Sequence, residues 1–253
     1  MQSNFAKIGY KVFPKLESTN ATAKEMAKKD YDPVWVLALE QTSGRGRQGR
    51  DWLSEKGNFC ASLLYYPRLL LNEMPKISFV AALAFYDAVI EVGVSRKKLL
   101  VKWPNDLLIR NKKVGGVLIE TSDFKGSRGV PLIVGFGLNL VSSPKLHKLR
   151  RGSLLASSLK QEINNIPSSE EFLRLLIETY EFWDSFLIKH GFDNLRKEFL
   201  LRTCKVGSKI LVRLPRKTVS GSFLDVDLSG ALILECDNEV VSISAGDVHL
   251  IGA

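Results

Sequence analysis

The sequence is poor in the side chains that most often form disulfide bonds and metal centres. Its 253 residues include three cysteines, Cys60, Cys204 and Cys236, and three histidines. The cysteines are far apart, none belongs to a Cys-x-x-Cys pair, and the histidines are isolated from one another. This spacing argues against a zinc site or a disulfide framework and favours a reducing compartment.

Long apolar runs are also absent. No stretch approaches the length that a helix needs to cross a bilayer, and residues 1–10 lack the apolar centre of a secretory signal. Internal repeats, low-complexity tracts and long linkers are missing as well. With 45% hydrophobic and 25% charged residues, the composition predicts a soluble, cytoplasmic globular protein without a membrane anchor.

The charge is unbalanced towards basic residues, which give a formal net charge of +9. A basic protein can bind nucleic acid, an acidic protein or an anionic small ligand. The basic residues form short clusters along the chain and no long tail. This distribution favours an ordinary solvated surface and leaves all three kinds of partner open.

The hydrophobic pattern of the first 204 residues mixes helices and strands. Apolar residues recur at helical spacing in two long segments, and short apolar or β-branched runs predict strands. The predicted helices are 21–29, 75–92, 154–161, 169–189 and 192–204. The predicted strands are 34–39, 58–66, 99–101 and 132–140, with a hairpin made of 107–110 and 114–120.

Beyond Cys204 the pattern changes to short strands separated by turn residues. Five such strands in about fifty residues predict a small β-barrel. They are 209–213, 219–226, 231–235, 240–243 and 248–251. We therefore predict two domains, residues 1–204 and 205–253.

The most unusual stretch is residues 44–52, in which three glycines alternate with three arginines before Asp51 and Trp52. Glycine lets the backbone N–H groups of a turn approach an anion. Arginine adds a fork of donors that matches phosphate or carboxylate. On its own, such a run also fits a solvated basic loop or a nucleic-acid patch.

Further polar residues and glycines follow predicted strands or alternate along one face of a strand. They are Lys102, Asn105, Asp106, Lys113, Gly115, Gly116, Gly135, Gly137 and Asn139. No Gly-x-x-x-x-Gly-Lys-Ser/Thr loop, Ser-His-Asp pattern or metal-ligand cluster occurs. Cations, glycines and one carboxylate suit the stabilisation of negative charge during transfer of an acyl or phosphoryl group.

Taken in this order, the motifs resemble those of the biotin–protein ligases. The segments that carry the resemblance are Glu17-Ser-Thr-Asn20, Gln41-Thr-Ser-Gly-Arg-Gly-Arg-Gln-Gly-Arg-Asp-Trp52, Lys102-Trp-Pro-Asn-Asp106, Lys113-Val-Gly-Gly-Val-Leu-Ile-Glu120, Gly135-Phe-Gly-Leu-Asn139 and Ile243-Ser-Ala-Gly-Asp247. The resemblance covers nearly the whole chain. It implies an α+β fold, with a class II synthetase-like mixed sheet flanked by helices and followed by a small SH3-like β-barrel. Because only sixteen residues precede Glu17, it implies the monofunctional form without an N-terminal DNA-binding domain.

The resemblance implies a two-step reaction. The biotin carboxylate attacks the α-phosphorus of ATP, which gives biotinyl-5′-adenylate and pyrophosphate. A lysine of an acceptor protein then attacks the acyl carbon and releases AMP. ATP and biotin are the substrates, and Mg²⁺ accompanies ATP without a metal site built from protein alone.

The implied acceptor is the biotin carboxyl carrier protein of acetyl-CoA carboxylase or of a similar biotin-dependent enzyme. An acidic carrier surface would be attracted to a basic ligase. Sequence-specific DNA binding and membrane binding are not expected. The sequence leaves open whether the ligase is a monomer or a homodimer.

The resemblance also implies the roles of individual residues. Lys113 would bridge the biotin carboxylate and the α-phosphate, Arg47 would assist catalysis, and Asp106 would orient the acceptor lysine. The implied biotin-binding set is Ser18, Thr19, Asn20, Gln41, Gly44, Arg45, Gly46, Arg47, Trp52, Lys113 and Gly116. The implied nucleotide-binding set is Arg45, Arg47, Arg50, Trp52, Lys102, Asn105, Lys113 and Asn139.

Two alternatives remain. A lipoate–protein ligase has a similar fold and makes an analogous acyl-adenylate, but the intact Gly-Arg-Gly-Arg loop favours biotin. A basic nucleic-acid-binding module would need exposed aromatic side chains on the barrel. Phe223 is the single aromatic residue between 205 and 253, which makes this second alternative weak.

Overall fold

The first part of the chain folds around a mixed β-sheet. The computed structural model describes residues 8–67, 71–122, 128–145, 154–214 and 216–250. The strands up to residue 138 are β1 (Tyr10–Phe13), β2 (Val34–Ala38), β3 (Gly44–Arg45), β4 (Asp51–Trp52), β5 (Phe59–Tyr65), β6 (Leu99–Lys102), β7 (Asp106–Ile109), β8 (Lys112–Thr121) and β9 (Leu132–Leu138). Seven of them form one sheet in the order β1-β2-β5-β9-β8-β7-β6, and β3 pairs with β4 as a short separate hairpin. Only the β1–β2 pair is parallel within this sheet, so the predicted mixed sheet is confirmed.

Helices cover both faces of the mixed sheet. They are α1 (Thr19–Lys28), α2 (Ile77–Glu91) and α3 (Ser169–Leu200). Val36 of β2 packs with Ala23 and Ala27 of α1, whereas Trp35 and Leu37 of the same strand join the core formed with α2 and α3. Successive side chains of a strand point to opposite faces, so this fully apolar strand contributes to both layers.

Helix α1 covers only part of its face of the sheet. Its apolar contact includes Leu64 of β5 and Ile133 of β9. Further along the same face come Ser62 of β5 and then Gly135 and Gly137 of β9, because every second residue of a strand shares a face. Small and polar residues therefore replace the apolar core here and leave a hollow open.

Helices α2 and α3 form the layer on the opposite face. Eleven of the fifteen residues of α2 are buried, as expected for a helix between a sheet and a second helix. α3 begins at a capping box formed by Ser168 and Glu171, and Gly191 interrupts it with a φ of 76°. The predicted helices 169–189 and 192–204 are thus one interrupted element that ends at Leu200. No helix in the described ranges is long and apolar enough to cross a membrane.

Two parts of the sequence prediction are wrong. The helix predicted over 154–161 is reduced to a 3₁₀ turn over Leu159–Gln161. The preceding residues bind the sheet instead: Lys113 N donates to Leu155 O at 2.7 Å, and Ser157 N donates to Lys113 O at 3.0 Å. These bonds occupy the backbone groups that a helix would need. The short strands β1, β3 and β4 were not predicted, because two to four residues are too few to display an alternating pattern.

The last fifty residues form the five strands that the sequence predicts. They are β10 (Lys209–Arg213), β11 (Thr218–Val226), β12 (Leu232–Cys236), β13 (Glu239–Ile243) and β14 (Asp247–Leu250). β10 to β13 form an antiparallel meander, and β14 returns to pair with β10, which is the strand order of a small SH3-like barrel. Trp103 Nε1 donates to Gly230 O at 3.0 Å, and Ile210 and Phe223 join the core of the mixed sheet. The division at residue 204 stays a prediction.

Candidate active site

The hollow on the α1 face is a cavity of about 270 Å³, bordered by the start of α1, the β3–β4 hairpin and β14. Almost all of the predicted site residues line it. They are Ser18, Thr19, Asn20, Gln41, Arg45, Gly46, Arg47, Arg50, Trp52, Lys102, Asn105, Asp106, Lys113, Gly116 and Asn139. The exception is Gly44, which pairs with Trp52 inside the hairpin, where a Cβ on Gly44 would lie 2.5 Å from Trp52 O. The fold therefore brings separate motifs of the chain to one place.

The end of the cavity at α1 is neutral and polar. The Ser18 hydroxyl caps α1 by accepting from Ala21 N at 3.4 Å, and Thr19 N donates to Gln41 Oε1 at 2.9 Å. Gln41 Nε2 lies 3.4 Å from the sulfur of Cys60, a residue that the sequence analysis did not assign to the site. Burial raises the pKa of the Cys60 thiol to about 11, so Cys60 supports Gln41 as a neutral group. Donors and acceptors left over in this polar end are available to an uncharged polar ligand group.

Lys113, Asp106 and Lys102 form a chain of alternating charge along the cavity wall. Asp106 Oδ1 lies 2.6 Å from Lys113 Nζ, and Asp106 Oδ2 lies 2.9 Å from Lys102 Nζ. Burial acts to raise the pKa of Asp106, but the two lysines outweigh it and hold that pKa well below its usual range. The Lys113 side chain is 31% exposed and that of Lys102 only 2%. Lys113 is therefore the member of the chain that a ligand can reach.

The C-terminal sheet adds a second carboxylate to this wall. Asp247 Oδ2 lies 2.8 Å from Arg50 Nη1, and Asp247 Oδ1 lies 3.5 Å from Lys102 Nζ. Lys102 also donates to Val248 O at 3.1 Å. Burial acts to raise the pKa of Asp247, but Lys102 and Arg50 reverse the shift and lower it. Asp247 on β14 thus links Arg50 of the β3–β4 hairpin to the buried Lys102. The sequence motifs do not assign this role to Asp247.

Asn105 and Asn139, which the resemblance places on the nucleotide side, donate hydrogen bonds to backbone carbonyls of the cavity wall. Asn105 Nδ2 donates to Val117 O, and Asn139 Nδ2 donates to Ser157 O at 3.0 Å. Arg47 Nη1 donates to Asn105 Oδ1 at 3.2 Å. Burial lowers the pKa of Arg47, against the opposing pull of the cavity carboxylates, and the guanidinium remains charged because its ordinary pKa is so high. Arg47 is thereby held near the charged chain.

Trp52 forms an apolar wall beside the accessible lysine. Lys113 Nζ lies 5.5 Å from the centroid of the Trp52 ring. The indole also lies against Gly137, where a Cβ would come within 2.6 Å of Trp52 Cε2. Its Nε1 is buried. The absence of a side chain at Gly137 thus allows the indole to lie next to the amine.

Gly137→Ala is expected to displace Trp52 and to destabilise the protein. The added methyl group would overlap the indole, and overpacking of this kind lowers the free energy of unfolding by about 2 kcal/mol. Chemical denaturation measures the change. Gly9→Ala is the control, because a Cβ at Gly9 meets nothing within 4 Å. Equal stability of the two variants would show that Trp52 does not depend on Gly137.

The cavity has no protein metal site in the part of the chain that the structure describes. No group of three or more His, Cys, Asp or Glu side chains there could hold a metal ion. The carboxylates of Asp106 and Asp247 are paired with cations. A hard cation bound here would be held through ligand oxygens and water.

Comparison with known sequences assigns the motifs to a family. Residues 12–139 match the biotin/lipoate A/B protein ligase family, and residues 206–250 match the biotin protein ligase C-terminal domain. The chain belongs to the biotin protein ligase family. The resemblance inferred from the motifs is thereby confirmed.

Individual biotin protein ligases are similar over most of the chain. The biotin–[acetyl-CoA-carboxylase] ligase of Paracoccus denitrificans is 38% identical over 218 residues, which is 86% of this chain and 90% of that protein. The ligase of the same name from Mycobacterium tuberculosis is 31% identical over 244 residues, covering 92% of this chain and 86% of that one. The structure of biotin protein ligase from Aquifex aeolicus in complex with biotin and ATP matches with a TM-score of 0.81 and 23% identity, over 96% of this chain and 99% of that one. This last likeness confirms the fold.

Proposed function

We propose that the protein activates biotin with ATP and transfers it to a lysine of an acceptor protein. The supporting observation is the order of groups along the cavity. A neutral polar end at Thr19 and Gln41 is followed by the apolar wall of Trp52 and then by the amine of Lys113 beside Asp106. A cyclic urea, an aliphatic chain and a carboxylate meeting a phosphate require these environments in this order.

The first step joins two anions, the biotin carboxylate and the α-phosphate of ATP. Positive charge must offset their repulsion and stabilise the charge that develops as pyrophosphate leaves. Lys113 is suited to this task because its amine is accessible, whereas Lys102 is enclosed by Asp106, Asp247 and a backbone carbonyl. The three arginines of the hairpin, Arg45, Arg47 and Arg50, would hold the phosphates and shield the adenylate from water.

The second step needs an acceptor amine that has lost its proton. The neutral amine attacks the acyl carbon, the bond from that carbon to the phosphate oxygen breaks, AMP leaves, and the nitrogen releases one proton to water as the amide forms. Asp106 lies beside Lys113 and could receive a hydrogen bond from the incoming amine. While two lysines hold the pKa of Asp106 low, its carboxylate orients the amine and does not retain a proton.

The partners follow from the charge of the protein and from its cavity. Mg²⁺ would come with ATP and be held by phosphate oxygens and water. The proposed acceptor is an acidic biotin carboxyl carrier domain, such as that of acetyl-CoA carboxylase, which the charge of +9 would attract. The proposed location is the cytoplasm, where the three free cysteines would stay reduced. Sequence-specific DNA binding is not expected, and a salt-resistant shift of a specific DNA fragment would contradict this.

Pyrophosphate release tests the proposal directly. The protein is incubated with ATP and Mg²⁺ and with biotin, with lipoate or with neither acid. We expect release with biotin alone. Release with lipoate alone would move the protein to the lipoate ligases of the same family, and no release with either acid would refute adenylate formation.

A further inference from the structure

The side-chain amide of Asn20, at the neutral end of the cavity, is held from both sides. Its Oδ1 accepts from Ser62 Oγ at 2.6 Å, and its Nδ2 donates to Glu120 Oε2 at 2.7 Å. A Cβ on Gly135 would lie 2.1 Å from Asn20 Oδ1, so only a glycine on β9 leaves room for the amide. Asn20 is itself 6% exposed and lines the cavity.

Glu120 does not line the cavity. Both of its carboxylate oxygens bind residues of α1 close to the cavity. Oε2 accepts from Asn20, and Oε1 is paired with Lys24, one turn further along α1. The Glu120 side chain is 26% exposed, which places it at the edge of the solvent. Because Asn20 and Lys24 lie on one face of α1, a single carboxylate on β8 can engage both.

An ionised carboxylate can only accept hydrogen bonds. The NH₂ group of Asn20 must therefore face Glu120. A half-turn of the amide would instead place Asn20 Oδ1 against Glu120 Oε2, and two acceptors would repel each other. Nδ2 also donates to Leu118 O at 3.5 Å. With both N–H bonds of the amide engaged, the group of Asn20 that remains for a ligand is a lone pair of Oδ1. The neutral end of the cavity thus presents an acceptor at this point.

We infer that Glu120 is a positioning residue that fixes the hydrogen-bonding polarity of Asn20, so that the cavity selects a ring bearing an N–H donor. The ureido ring of biotin has such donors, and the inference therefore rests on the proposed function. A plain surface ion pair with Lys24 would instead contribute a little stability and leave ligand recognition unchanged.

Glu120→Ala is expected to raise the KM for biotin about tenfold and to leave kcat within about twofold, because Asn20 loses the partner that orients it. KM and kcat are measured from pyrophosphate release, with thermal unfolding in parallel. Glu25→Ala is the matched control, since Glu25 lies on α1, is exposed and, within the described part of the chain, is paired with Lys28 alone. An unchanged KM in Glu120→Ala, with or without a lower melting temperature, would overturn the inference.

A sharper test exchanges the hydrogen-bond donor and acceptor between Asn20 and Glu120. In Asn20→Asp, two carboxylates face each other, and the KM for biotin should rise at least about tenfold. Adding Glu120→Gln supplies an amide that donates to the new aspartate, and the double variant should recover a KM within about threefold of the wild type. Failure of the double variant to recover would show that biotin needs the NH₂ group of Asn20 itself and would overturn the inference.

The wild-type protein separates this inference from the function on which it rests. If it shows no biotin-dependent pyrophosphate release, the proposed function fails whatever the variants do. If it releases pyrophosphate with biotin but the KM is indifferent to Glu120, only the positioning role is refuted.

Discussion

Lys113→Ala is expected to lower kcat for biotin-dependent pyrophosphate release about a thousandfold, the scale for removal of a group that stabilises developing charge. Lys113 Nζ is the accessible cation of the Lys113–Asp106–Lys102 chain. Without it, the biotin carboxylate and the α-phosphate would meet beside the negative charge of Asp106 with little compensation. Pyrophosphate release with saturating ATP and biotin measures the effect.

The neighbouring lysine supplies the control for this experiment. Lys112 precedes Lys113 on β8, points to the other face of the strand and is exposed, so Lys112→Ala should retain activity within about twofold. Lys113→Arg keeps the charge but cannot place it at the same point, and an intermediate activity is expected. Comparable activity of Lys112→Ala and Lys113→Ala would mean that the cation for the first step comes from elsewhere, with Arg47 the next residue to replace.

Asp106→Ala is expected to produce the largest loss of stability, about 3 kcal/mol. The Lys102 side chain is 2% exposed, and without Asp106 its remaining partners are Asp247 Oδ1 at 3.5 Å and Val248 O at 3.1 Å. A buried ammonium that loses its carboxylate is left poorly compensated. For a chain of this size the change corresponds to a fall in Tm of about 8 °C, which calorimetry can measure.

An exposed ion pair shows whether burial is the cause. Asp32 pairs with Arg128 at 2.9 Å, and its side chain is 76% exposed. Asp32→Ala should change the free energy of unfolding by less than about 1 kcal/mol, since solvent screens such pairs. If Asp106→Ala were no more harmful than Asp32→Ala, the Lys113–Asp106–Lys102 chain would have no structural role.

The stability contributed by Asp106 should also depend on pH. Burial acts to raise its pKa, yet Lys102 and Lys113 depress the pKa in the folded protein below that of the unfolded chain. A group with a depressed folded pKa contributes its full stability above the unfolded pKa, about 4 for aspartate, and loses it as the pH falls towards the folded pKa. The difference in unfolding free energy between the wild type and Asp106→Asn should therefore be constant near neutral pH and shrink below about pH 4. A difference that grows on acidification would contradict this assignment.

The sequence predicts most of the secondary structure because its longer elements have clear periodicity. The apolar run of β2 and the helical spacing of α2 are local signals. Strands of two to four residues, such as β1 and those of the β3–β4 hairpin, are too short to show a hydrophobic alternation, so the sequence does not predict them. The helix predicted at 154–161 is absent because Lys113, far away in the chain, takes the backbone hydrogen bonds of that segment.

The sequence predicts which residues form most of the candidate site, but it does not predict which of them contact one another. The Gly/Arg run, Lys113 and Asp106 were identified because their residue types occur in motifs whose chemistry is local. Cys60 and Ser62 were not assigned to the site, because nothing in their flanking sequence distinguishes them. Asp247 belongs to one of the motif segments, but its sequence neighbours do not show that it reaches Lys102 and Arg50. Their roles depend on which strand lies beside which.

By itself, the sequence determined the chemistry that this protein can perform, since the identity of its cations, carboxylates and glycines does not depend on the fold. Only the tertiary structure decided how these groups are shared: Lys113 is accessible and Lys102 enclosed, Asp247 reaches Lys102 across 145 positions, and Glu120 holds Asn20 across 100. The reason is physical. Burial and pairing are set by strand register and by the packing of two sheets, and contacts between distant parts of a chain leave no trace in its local pattern.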